Sequence, residues 1–133
     1  MTFTGCFTKN DIDKIVLSEW KKCKNEYEKC IVDFSNLMPF EWDTLYYYTG
    51  AVLIEDIEKE IGTRIPYEDV GSRIIFMKDG KITYYKEWFP YPEPKPDEPL
   101  VFAIEGNKLK LDTSNAIFRV EKKNNLLFLY PIE

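Results

Sequence analysis

The sequence predicts an α+β domain in which an antiparallel sheet, laid out as a meander, carries two helices from the N-terminal half on one face. Three observations predict it. Two stretches of helical periodicity lie in the first half. β-rich runs fill the second half. The turns between most of those runs are too short for crossovers, so neighbouring strands pair antiparallel and the helices cover one side. The 133 residues match the ordinary size of one domain, so residues 1–133 are expected to form a single unit.

The first helix rests on Ile12, Val16, Trp20, Cys23 and Tyr27, spaced four, four, three and four to make one stripe. Thr8 with Asp11, or Asn10 with Asp13, offers a capped start. Lys21, Lys22, Lys24, Asn25, Glu26, Glu28 and Lys29 form a solvated back. Strands are expected at Ile31–Phe34 and Leu45–Tyr48, on either side of a turn at Met38 and Pro39. A second helix begins near Val52, with Leu53, Ile54, Ile57 and Ile61 on one face and Glu55, Asp56, Glu58 and Glu60 on the other. Gly62 stops it.

The strands Arg73–Lys78 and Lys81–Phe89 flank Asp79 and Gly80, a pair suited to a two-residue hairpin turn. Residues 90–99 hold prolines at 90, 92, 94, 96 and 99 and therefore read as an extended, exposed loop. Strands at Leu100–Glu105, Lys108–Leu111, Ala116–Glu121 and Leu126–Tyr130 follow, separated by turn residues. The last could present an edge to a second copy, which leaves the oligomeric state open.

Several function classes are disfavoured by composition. A net charge of −5 lacks the basic face that phosphate binding requires, so nucleic acid is not an expected partner and a basic protein is the better match. There is no histidine, which removes histidine-based nucleophiles and metal sites. The six glycines are scattered, so no phosphate loop or cofactor is expected. The remaining catalytic candidates are carboxylates: Asp33 near Ser35, and Glu41 and Asp43 on either side of Trp42. An enzyme built on them would need the carboxylates to converge in a cleft, and the chain reads as a binding protein instead.

The three cysteines, Cys6, Cys23 and Cys30, form an odd set that suits a reducing compartment and buried thiols. If Cys23 and Cys30 shared one helix they would lie about 10 Å apart and could not bond. No apolar run approaches the roughly 20 residues of a membrane span. Residues 1–10 lack a signal sequence, so the chain as written is expected in the cytoplasm. Phe3, Thr4, Gly5 and Cys6 nonetheless look like the end of a lipoprotein cleavage site. If Met1 is not the natural start, the protein is anchored by lipid at Cys6, which is the only membrane association expected.

The run Phe40, Glu41, Trp42, Asp43, Thr44, Leu45, Tyr46, with Val32–Pro39 before it, resembles a segment of a family of small bacterial proteins. In that family an acidic residue, a tryptophan and an aspartate stand between a phenylalanine and a strand ending in aromatics. A short helix ending in glycine, a strand, a turn like Asp79 and Gly80, and another strand follow. The resemblance covers about Val32 to Tyr85 and departs at Tyr48, Thr49 and Gly50. Many members are uncharacterised lipoproteins, so it implies a fold more than an activity. Phe40 and Trp42 read as anchors of the sheet, with Asp43 bonding nearby amides.

Candidate partner-binding residues follow from exposed aromatics beside carboxylates. Among Tyr46, Tyr47 and Tyr48, strand alternation turns at least one away from the core, which points to Tyr46 and Tyr48. Trp88 and Tyr91 run into the acidic loop with Glu93, Asp97 and Glu98; alternatively Trp88 and Phe89 close one end of the core. As a class, small acidic chains of this kind are similar to immunity proteins of contact-dependent growth inhibition and other toxin–antitoxin systems. That resemblance implies a cognate, basic toxin as partner, such as a nuclease whose active-site surface is covered. The alternative is a cell-envelope lipoprotein with a ligand-binding or assembly role.

Overall fold

The computed structural model describes residues 11–23, 30–91 and 93–132. In chain order its elements are α1 (Asp11–Lys22), β1 (Ile31–Asp33), a 3-10 turn (Phe34–Asn36), β2 (Thr44–Tyr48), α2 (Ile54–Ile61), β3 (Ser72–Lys78), β4 (Lys81–Trp88), β5 (Leu100–Phe102), β6 (Lys108–Asp112), β7 (Ile117–Lys123) and β8 (Leu126–Pro131). The fold is α+β with its helices in the N-terminal half, as the periodicities indicate.

The strands do not form one meander. They divide into two four-stranded sheets, ordered β1-β7-β8-β5 and β4-β3-β2-β6. The long proline-rich connection lets the chain leave the second sheet after β4 and enter the first at β5, where β5 pairs with β8 in parallel. β6 then returns to pair with β2, Leu45 opposite Leu111 and Tyr47 opposite Leu109.

The main core lies between the sheets. Leu45, Tyr47, Ile74 and Phe76 from one sheet meet Val32, Phe102, Phe118, Val120, Leu127 and Leu129 from the other. The Phe34 and Phe118 rings lie 4.8 Å apart and those of Tyr47 and Phe102 4.6 Å apart. Each such buried side chain contributes about 1.5–3 kcal/mol. The expected anchors take part: Phe40 stacks on Tyr84 at 5.0 Å and Trp42 meets Phe76 edge-on at 5.2 Å.

The two helices sit in different layers. Ile12 and Val16 of α1 are fully buried in the core between the sheets. Ile57 and Ile61 of α2 pack instead on the opposite face of the second sheet, against Tyr46, Tyr48, Ile75 and Met77. Strand alternation sends odd and even residues of β2 and β3 to these two cores, so this sheet is covered on both faces. Gly62 ends α2 in the left-handed conformation (φ 79°), its N–H donating to the Glu58 carbonyl at 2.9 Å.

Local turn chemistry follows expectation. Asp79 and Gly80 both take positive φ (51° and 77°) and join Lys78 to Lys81. Asn124 and Asn125 do the same between β7 and β8. Such turns match the twist of paired strands. Asp43 secures the first of them by accepting the Asp79 N–H at 2.9 Å, and this bond holds its carboxyl below the usual range. Opposite Phe76 and Met77 the register shifts, leaving Thr83 as a bulge whose hydroxyl donates to the Phe76 carbonyl at 3.3 Å.

The cysteine expectation is overturned. α1 ends at Lys22, Cys23 lies in the turn beyond it, and Cys23 and Cys30 form a disulfide with Cα atoms 5.4 Å apart. A helix continued to Tyr27 would have held them too far apart to bond. Tyr27, Thr8, Asn10 and Cys6 fall outside the described residues. Asp13 is a buried ion-pair partner, with its side chain on Lys86.

Candidate functional site

β4 is an edge strand, and a groove of about 450 Å³ runs beside its C-terminal half. Tyr85, Lys86, Glu87, Trp88 and Phe89 line its floor. The loop before β3 supplies Pro66, Glu68 and Asp69 as one wall, and the proline-rich loop supplies Lys95 and Glu98 as the other. Exposed apolar side chains belong to the same segments: Tyr67 (54%), Val70 (65%), Phe89 (45%) and Tyr91 (56%).

Each wall is fixed to β4 by a charged group. On the α2 face, Glu87 accepts the main-chain N–H groups of Glu68 at 3.3 Å and Asp69 at 2.7 Å, and the Tyr85 hydroxyl at 3.0 Å. Fully buried Arg73 braces it, with Nε 3.4 Å from Glu87 and a bond to the Asp69 carbonyl. Burial first, and Glu87 next, raise the Tyr85 phenol above its ordinary value, so Tyr85 stays a donor.

On the inter-sheet face, the buried Lys86 ammonium lies 3.0 Å from Asp13 of α1 and 3.0 Å from Glu98 of the proline-rich loop. Desolvation raises the Asp13 carboxyl from 3.8 to about 6, against the opposing pull of Lys86. Trp88 completes the wall by donating its indole N–H to the Leu100 carbonyl at 2.9 Å.

The expected binding residues therefore separate into two groups. Tyr46, Tyr48, Trp88 and Glu98 are 8%, 1%, 1% and 8% exposed and belong to the interior, so they are corrected from surface anchors to structural groups. Tyr46 and Tyr48 do face away from the main core, but α2 covers that face; the Tyr48 hydroxyl donates to Glu60 at 2.6 Å. Trp88 instead follows the alternative reading, closing the core. Tyr91, Glu93 and Asp97 are exposed on the proline-rich loop and are not among the residues that line the groove.

The 66–70 wall was missed. No role is assigned to this stretch from sequence, although Pro66, Tyr67, Glu68 and Asp69 repeat the proline, tyrosine and carboxylate mixture of residues 90–99. That shared composition was the available signal.

Carboxylates outnumber lysines in this groove, and Lys86 is committed to Asp13 and Glu98. It can accept cations and apolar side chains together. The other carboxylate candidates lie apart from it: Asp33 accepts the Ser35 N–H at 2.9 Å, Asp43 holds the hairpin, and Glu41 is exposed. Among the described residues no group of three or more His, Cys, Asp or Glu side chains is disposed to hold a metal, and no helix is long and apolar enough to cross a membrane.

Comparison with protein-family models, curated proteins and solved structures finds no match to this chain.

Proposed function

We propose that this chain is a protein-binding domain that captures a basic segment of another protein in the groove beside β4 and that, where its natural start lies upstream of Met1, it belongs to a bacterial cell envelope, held by lipid at Cys6. The groove supports the binding: exposed aromatics and carboxylates on braced loops suit a cationic partner, which they attract over a distance and hold by apolar contact. The Cys23–Cys30 disulfide supports the compartment, because such bonds persist on the oxidising side of the membrane. It also leaves Cys6 as the one cysteine outside the pair, within the Phe3–Cys6 cleavage-like sequence.

A second reading is an immunity protein that neutralises a cognate basic toxin, such as a nuclease. The negative charge of the groove favours it, since covering a phosphate-binding surface needs that complement. The two readings share the binding face and differ in compartment.

The test is affinity purification of the tagged protein expressed from its natural locus, with mass spectrometry of the cysteines. Recovery in the membrane fraction with acylated Cys6 and the disulfide intact supports the envelope reading. Free thiols in the cytosol with a bound basic toxin support the immunity reading. Glu68→Lys with Asp69→Lys should release the partner in either case. A partner retained equally by wild type and this variant would remove the groove as the binding face.

A further inference from the structure

Four consecutive residues of β4, Tyr85 to Trp88, and Phe89 just beyond them line the groove. Successive strand side chains point to opposite faces, so a groove touched by all five opens on the strand's edge and not on either face. The sheet order leaves that edge without a partner strand. A Cβ added to Gly71 would lie 2.6 Å from the Trp88 carbonyl oxygen, which places that carbonyl on the β3 side. In an antiparallel pair the main-chain N–H and C=O of one residue point the same way, and those of its neighbours the other. The main-chain groups of Tyr85 and Glu87 are thereby turned outward. Among the described residues no main-chain hydrogen bond from this edge accompanies those of the sheet.

We infer that the groove takes an extended, basic peptide segment as an added strand beside β4, deepening the protein-binding reading on which it rests. Main-chain bonds to Tyr85 and Glu87 would hold the segment in register. The occupant is basic because the walls place Glu68 and Asp69 against a single lysine, Lys95, while Lys86 is taken up by Asp13 and Glu98. Alternate side chains of the segment would meet the two walls, one on each face of β4. Edge strands are ordinarily blunted by lysine, proline or bulges. Here the bulge at Thr83 lies before the lined stretch and leaves it regular.

The probe is an acetylated, amidated peptide of alternating lysine and valine, titrated into the whole protein at low salt and followed by amide hydrogen exchange. Binding should slow exchange at Tyr85 and Glu87. The same peptide N-methylated at every residue keeps its charge and side chains but loses its donors, and it should bind about tenfold more weakly or worse. Equal affinity of the two peptides, unchanged exchange at both amides, or no binding of the probe would overturn strand addition. A cellular partner still released by Glu68→Lys with Asp69→Lys would in those cases leave the protein-binding reading standing, so the two ideas fail separately.

Discussion

Replacing Lys86 by methionine keeps the length of the buried stem and removes only its charge. In the folded protein this ammonium sits 3.0 Å from carboxylates of both α1 and the proline-rich loop. At an effective dielectric of about 20, each contact represents about 5 kcal/mol of gross attraction. Most of that is offset by the dehydration of three ions, but removing one member leaves the others buried without compensation, a net loss of about 3–5 kcal/mol.

The loss should depend on pH. Asp13 has a folded-state value of about 6 against an ordinary 3.8, so the folded state binds its proton more tightly. The stability it contributes is present below pH 3.8 and is lost as pH rises through about 6. Without Lys86 the proton is held more tightly still, and at acid pH the variant buries one neutral carboxyl where at neutral pH it must bury a charge. Urea unfolding followed by tryptophan fluorescence should therefore show the full deficit of Lys86→Met near pH 8 and a much smaller one near pH 5. Adding Asp13→Asn and Glu98→Gln should restore stability at neutral pH. A deficit under about 1 kcal/mol near pH 8, or the same deficit at both pH values, would refute the buried ion cluster.

Other consequences are testable in the same assay. Changing Cys23 and Cys30 to serine opens a link across a sequence separation of 7 and should cost about 2–3 kcal/mol, as should reduction of the wild type; no change on reduction would place the bond outside the folded state. Asp43→Ala should cost about 1 kcal/mol by releasing the Asp79 N–H. Because the folded state depresses the Asp43 carboxyl, its contribution is present above the ordinary carboxylate value and is lost as pH falls through the lower folded one; wild type and variant should converge in acid. Tyr48→Phe removes a hydroxyl that donates to Glu60 at 2.6 Å and should cost about 1–2 kcal/mol, measurable by thermal unfolding; a neutral result would mean that water replaces the bond.

Much of the local structure was legible in the residues because short-range physics decides it. Asp79 with Gly80 determines its own turn through positive φ, and Gly62 stops α2 for the same steric reason. Ile12 with Val16, and Ile57 with Ile61, mark the buried stripes of the helices. The exposed loop carboxylate Glu93 and the exposed Tyr91 were also readable, since a segment with alternating prolines cannot enter a sheet interior.

What the residues alone left open was which surface each two-sided element would meet. Alternation in Tyr46, Tyr47 and Tyr48 specifies two faces, but only the tertiary structure placed α2 over one and a second sheet over the other. The disulfide depended on where α1 stopped, a choice of a few residues near the helix end that periodicity does not resolve. The groove came last, because its walls are separate loops brought together by Glu87 and Lys86, charged residues whose burial no local pattern announces. The sequence by itself determined the elements, the turns and the sign of the surface. Tertiary packing decided the division into two sheets, the burial of Trp88 and Glu98, and the open edge of β4, because each depends on contacts between residues far apart in the chain.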